Sequence, residues 1–145
     1  MHKFIIVLII VIMFLPKNLL ANEISCSPNN VRVIDADTIK VCNTKIRLSG
    51  ISAAERGHKT YQNCKDKVEN IIKQSDLIVC LLTGEKTYDR FVGTCFMNAN
   101  GNSINLQKTI VENHCARDCR RYSNGKYAKY ETPQSKKLPI PNYCQ

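Results

Sequence analysis

Two aspartates one residue apart, Asp35 and Asp37, interrupt the β-branched run VRVIDADTIKV from Val31 to Val41. Turn chemistry accounts for one of them, since Asp tolerates bent backbone and bonds its own neighbours. Arg47 and Glu55 follow closely, so three carboxylates and a guanidinium fall within residues 35–55. Carboxylates at such spacing can share a hard divalent cation. An attacking water needs a base such as Glu55, and a phosphate needs a guanidinium fork for its oxygens. Together these are the parts of a metal-assisted phosphodiesterase. The competing reading makes Asp35 and Asp37 hairpin-turn residues and Arg47 and Glu55 a surface ion pair.

The compartment in which such chemistry would run is written at the start of the chain. His2 and Lys3 precede Phe4–Leu15, a stretch without a polar residue, followed by Pro16, Lys17 and Leu19-Leu20-Ala21. This apolar core is shorter than the roughly 18 residues of a membrane span, so residues 1–21 read as a secretory signal peptide that leaves no span behind. Residues 22–145 then form one domain, a monomer acting in the periplasm or outside the cell. All eight cysteines, Cys26, Cys42, Cys64, Cys80, Cys95, Cys115, Cys119 and Cys144, lie in that part, and no C-x-x-C occurs. An even count in a small exported chain reads as a disulfide framework. Cys80–Cys95 is expected across neighbouring strands, and Cys119–Cys144 as the tether of a segment without periodic apolar residues. His114, Cys115 and Cys119 raise zinc, but a fourth ligand is not evident.

The formal charge is +9, with 21 Lys and Arg against 12 Asp and Glu. Losing Lys3 and Lys17 with the leader leaves the domain strongly basic. That surplus suits a polyanionic partner, nucleic acid foremost, and it also serves solubility.

Alternating patterns over Val31–Asp35, Thr38–Val41 and Lys45–Ile51 predict three strands in a meander. Val68, Ile71 and Ile72, with Cys64 one turn earlier, give a helix over Gln62–Ser75. Asp76–Leu82 reads as a buried strand, Thr83–Arg90 as a polar loop and Phe91–Met97 as the antiparallel partner. Asn98–Asn102 is expected to turn, Ser103 to cap a helix carrying Leu106, Ile110 and Val111, and Lys126–Glu131 to form a short helix before Pro133. The rest of residues 116–145 is a basic tail. The fold class is therefore α+β, mainly β: a five-stranded OB-fold barrel with two to three packed helices, linked by disulfides, because a helix between the third and fourth strands is the OB layout.

VIDADT resembles the V-I-D-G-D-T of the thermonuclease (staphylococcal nuclease-like) family, and IRLSGISAAE its I-R-L-x-G-I-D-A-P-E. YDRFVGTCF is similar to the family's D-R-Y-G-R-x-x-A-x. The resemblance runs from about Val31 to Tyr130 in element order. It implies an OB-fold enzyme that cleaves DNA and RNA with calcium. On this likeness Asp37 is a direct metal ligand, Asp35 the acidic residue beside it, and Thr38 a hydroxyl behind them. Ala53 lends a backbone carbonyl to the ion, Arg47 clamps the scissile phosphate, and Glu55 acts as general base or orients the water. Tyr122 lines the nucleotide pocket, with Arg90, Arg120 and Arg121 as further nucleic-acid contacts.

The departures from the family are specific. Ser52 stands where it has a second aspartate ligand, which removes a charge from the cation site. Gly93 falls where it has a second arginine, and Ala54 replaces a proline. His58 and His114 read as surface residues. A second function class therefore stands beside the nuclease: an OB-fold module that binds nucleic acid or protein without turnover. An envelope polysaccharide is a third ligand class, though no pair of acids with its own motif points to a glycosidase.

Overall fold

The computed structural model describes residues 22–145, so the segment read as a signal peptide lies outside the described residues. The alternating run at the front of the domain folds as its pattern requires. Strands β1 (Glu23–Cys26), β2 (Val31–Asp35), β3 (Thr38–Val41) and β4 (Thr44–Leu48) turn Val33, Ile39, Val41, Ile46 and Leu48 inward, each buried. After a break at Ser49-Gly50 comes the short β5 (Ile51–Ala53), then helix α1 (Tyr61–Lys73). Its buried side chains, Cys64, Val68 and Ile72, recur every four residues and form the stripe facing the sheet. Two long strands follow, β6 (Leu77–Thr87) and β7 (Arg90–Ala99), then β8 (Asn102–Asn105), α2 (Leu106–Glu112), β9 (Ala116–Asp118) and α3 (Arg120–Ser123).

The main sheet runs β1-β6-β7-β4-β3-β2, with β8 also on β7, while β5 pairs with β9 apart from it. Every pairing is antiparallel except β4 with β7. The hydrogen-bonded ladder does not close, since β1 and β2 lie at opposite ends of the path. Residues 27–30, which include a 3₁₀ turn at Pro28–Asn30, nonetheless join those two ends directly. The Cys26–Cys42 bridge then fastens the end of β1 to the turn between β3 and β4.

The fold is thus α+β, mainly strand, and it differs from the expected five strands in ways that have local causes. β6 continues through Thr83–Thr87, read above as a loop, with a register shift between Leu82 and Lys86 that lets polar residues stay in the ladder. Ser103 sits in β8, and the cap of α2 is Asn105, whose side chain accepts from the Lys108 N–H at 2.8 Å. The expected helix at Lys126–Glu131 is only a 3₁₀ turn at Ala128–Tyr130, whereas α3 forms just before it.

All eight cysteines are paired: Cys26–Cys42, Cys64–Cys115, Cys80–Cys95 and Cys119–Cys144. Both expected pairs are among them, Cys80 and Cys95 facing each other in the β6–β7 register. With Cys115 and Cys119 in disulfides, no thiolate remains there for zinc. Four disulfides are the mark of an oxidising compartment. Among the described residues no helix is long and apolar enough to cross a membrane.

Candidate functional site

The β2–β3 hairpin positions the two aspartates. Asp35 pairs with Thr38 across a bulge that follows Val33, leaving Ala36 and Asp37 as the two-residue turn. Asp37 is folded inward at that turn and is buried. Its Oδ2 accepts from the Ala53 N–H at 2.8 Å and lies 3.3 Å from Arg47 Nη2, and Oδ1 accepts from Thr38 Oγ1 at 3.1 Å. Arg47 stands opposite Thr38 in the β3–β4 ladder. Its Nη1 donates to the Leu48 carbonyl at 2.8 Å and the Asp37 carbonyl at 3.3 Å, so the guanidinium is braced from two sides.

A second guanidinium arrives from β7. Parallel pairing sets Phe91 beside Ile46 and Val92 beside Arg47, which brings Arg90 to the same end of the sheet. Arg90 Nη1 donates to Thr38 Oγ1 at 3.2 Å, so Arg90, Thr38 and Asp37 form one chain of hydrogen bonds. An ion pair between Lys45 and Asp89 pins the hairpin tip next to it.

Arg47 and Arg90 open onto a cleft of about 650 Å³ that also has Lys86, Thr87, Tyr122 and Tyr143 in its walls. Ser49, Gly50 and Ile51 are part of the same wall. Gly50 has φ +79°, and a Cβ there would meet Ser123 Cβ and Tyr127 Cε2 at 3.0 Å, so this approach requires glycine. Its carbonyl accepts from the Cys119 N–H at 2.8 Å, which seats the start of α3 against the cleft. On the far side of Arg90 a smaller recess of about 270 Å³ is lined by Asp35, Thr38, Lys45, Tyr88 and Asp89.

Gly93 has no room for the arginine that the resemblance puts at its position. That residue is buried in β7, where an added Cβ would lie 3.0 Å from Leu82 Cδ2, 3.1 Å from the Leu81 carbonyl and 3.3 Å from Ile46 Cγ2. No side chain there could reach the cleft. Arg90, three residues earlier and expected as a nucleic-acid contact, does line the cleft. Arg120 and Arg121, on α3, are exposed and do not line the cleft, whereas Tyr122 does. Glu55 is exposed on the segment between β5 and α1, outside the cleft wall, with its carbonyl accepting from the His58 N–H at 3.1 Å.

Asp35 is engaged by α1 rather than by Asp37. Tyr61 Oη donates to Asp35 Oδ1 at 2.6 Å, and that bond, together with burial, raises the tyrosine above its ordinary pKa of 10. His58 Nδ1 lies 2.9 Å from Thr60 Oγ1 and His114 Nδ1 2.6 Å from Thr132 Oγ1, both local contacts away from the cleft.

The donor set does not fit the calcium that the resemblance implies. Both oxygens of Asp37 already carry protein hydrogen bonds, and one faces the Arg47 guanidinium. Ser52 is 1 % exposed and its Oγ has no hydrogen-bond partner, but a hydroxyl adds no charge. Among the described residues no three His, Cys, Asp or Glu side chains gather as a metal site. A hard dication needs anionic oxygens, and here the buried Asp37 carboxylate is paired with the Arg47 guanidinium.

Lys86 and Tyr143, both in the cleft wall, went unmarked in the sequence because neither sits in a motif. The polar stretch Thr83–Thr87 gave no signal for Lys86, and for Tyr143 the signal was the neighbouring Cys144.

No protein-family model matches the chain. It is similar to the succinoglycan biosynthesis protein ExoI of Rhizobium meliloti (strain 1021), 29 % identical over 110 residues that make up 66 % of this chain and 54 % of that protein. The chain thus spans about half the length of this curated relative.

Proposed function

We propose that the protein is an exported nuclease of thermonuclease type, an OB-fold barrel that binds nucleic acid as a monomer and hydrolyses its phosphodiester bonds in the cleft. The observation that carries this is the convergence of Arg47 and Arg90, from two different strands, on one cleft with Thr38 between them. The barrel reading is supported by the short link that joins the two ends of the sheet path.

In this reading the two guanidiniums hold the non-bridging oxygens of the phosphate. Charge grows on those oxygens as water adds to phosphorus and the opposite P–O bond breaks. Braced donors need little reorganisation when that happens. The Arg47 fork is braced by the Leu48 and Asp37 carbonyls, and Arg90 by the Thr38 hydroxyl. Glu55, exposed on the segment after β5, is the base that this reading assigns to the attacking water.

A second reading is favoured by the neutral Ser52 and by the capture of Asp37 by Arg47: a module that binds nucleic acid without turnover. The test is to incubate the oxidised protein with labelled single- and double-stranded DNA and RNA, with calcium and with chelator. Succinoglycan runs alongside, as the name of the relative calls for. Degradation of nucleic acid that is lost in Arg47→Ala supports the nuclease. Salt-sensitive binding without degradation under any condition replaces it with the module. Binding of the polysaccharide alone removes both.

A further inference from the structure

Residues 131–145 have only isolated 3₁₀ turns, yet one part of them reaches the cleft. The last of those turns, Asn142–Cys144, packs on α3. The Cys119–Cys144 disulfide binds the two together with Cα atoms 4.4 Å apart. Cys119 immediately precedes α3, which carries Tyr122, and Cys144 immediately follows Tyr143. One bridge therefore fixes two tyrosines on the same wall of the cleft, beside the arginine pair. Both rings remain open, Tyr122 at 60 % exposure and Tyr143 at 46 %. An aromatic ring held by a covalent tether and left half in water has a surface available to a planar partner, at little further cost in ordering.

The geometry points to Tyr143 as a specificity-determining residue that, with Tyr122, forms an aromatic subsite for an unpaired nucleobase next to the phosphate held by Arg47 and Arg90. The substrate class is then single-stranded nucleic acid, whose bases are free to stack, in preference to a duplex or to a polyanion without heterocycles. This rests on the phosphodiester reading above and adds to it a segment that lies outside the motifs.

The experiment compares the affinity of the oxidised protein, in chelator, for an oligothymidylate and for an abasic phosphodiester strand of the same length. The wild type is expected to prefer the oligothymidylate. Tyr143→Ala should weaken that strand about tenfold, as loss of one stacked base does, and leave the abasic strand unchanged. Tyr143→Phe, which keeps the ring, should retain the preference. Freeing the segment with Cys119→Ser and Cys144→Ser together should mimic Tyr143→Ala if the variant keeps the thermal transition of a folded domain. Equal loss on both strands, no loss on either, or tighter binding by Tyr143→Ala overturns the subsite, the last result making the segment a cover over the cleft. If both strands bind equally and Arg47→Ala abolishes both, the phosphodiester reading stands and the aromatic subsite falls. If neither strand binds the wild type, both fall.

Discussion

Arg90→Ala tests the assignment of the second cation most directly. The guanidinium reaches Thr38 Oγ1 at 3.2 Å and stands in the cleft wall with Arg47. A phosphate oxygen about 4 Å from such a group, at an effective dielectric near 20, gains about 4 kcal/mol. Arg90 is half-buried, so water screens part of this, and about 3 kcal/mol of transition-state stabilisation remains, or roughly 10²-fold in rate. The expected outcome is a fall in kcat/KM of about that size on single-stranded DNA, with Arg90→Lys intermediate because a point charge replaces a fork. Gly93→Arg is the control. It would force a charged side chain between Leu82, the Leu81 carbonyl and Ile46, an overpacking that costs about 1–3 kcal/mol before any cost of burying charge. Its denaturant midpoint should drop and its rate should not rise. The measurements are initial cleavage rates, or binding constants if no cleavage occurs, paired with urea unfolding of each variant. An Arg90→Ala protein as active and as tight-binding as wild type, or a well-folded Gly93→Arg protein that is faster, would refute the placement of the second cation at Arg90.

Four further outcomes follow from the same geometry. Ser52→Asp adds a carboxylate near Asp37, so titration calorimetry should detect calcium in the variant and none in the wild type; equal heats in the two proteins would count against this position. Glu55→Gln should lower kcat about 10²- to 10⁴-fold while leaving oligonucleotide affinity nearly unchanged. Replacing Cys64 and Cys115 by alanine opens a loop with a sequence separation of 51 and should cost about 4 kcal/mol in urea unfolding. The Cys26–Cys42 pair, with a separation of 16, should cost about 1 kcal/mol less, and the opposite order would contradict the chain-entropy account. Because Asp35 raises the pKa of Tyr61, its contribution is fully present below pH 10 and is lost as pH climbs through the raised value; Tyr61→Phe should flatten that alkaline decline in thermal stability.

The front of the domain was readable because its alternation is strict. Val33, Ile39, Val41, Ile46 and Leu48 leave little choice of which face turns inward, and the i, i+4 spacing of Cys64, Val68 and Ile72 is equally plain. The second half of β6 was hidden because Thr83–Thr87 carries Gly84 and charged residues that a half-exposed strand accepts but a pattern search reads as loop. Ser103 was mistaken for a cap because hydroxyls serve both caps and edge strands, and only the hydrogen bond from the Lys108 N–H distinguishes Asn105. Among site residues, Arg47 and Asp37 were placed by motif and do meet. Arg90, marked as a nucleic-acid contact, does line the cleft; its meeting with Thr38 was not legible, because a motif column counts residues whereas the parallel β4–β7 register decides which end of β7 reaches the cleft. Tyr143 depends on a covalent closure over a sequence separation of 25, which no local pattern encodes.

Gln107 has a role that its place in a helix does not announce. It is fully buried, with Oε1 accepting from the Cys95 N–H at 3.1 Å while Nε2 donates to the Gly93 carbonyl at 3.2 Å and the Ser49 carbonyl at 3.3 Å. One amide thereby serves as the keystone where α2, β7 and the break after β4 come together, a few residues from the cleft wall. A substitution that kept its volume but lost its polarity would take this partner from the Cys95 N–H and the Ser49 carbonyl at once, while the Gly93 carbonyl would keep only the Ser49 N–H at 2.8 Å. Few other side chains could meet an N–H and two carbonyls from one buried point, so the position tolerates few alternatives. Ligand preference can wander by exchanging exposed side chains around the cleft, while the frame that holds them stays tied to a single glutamine.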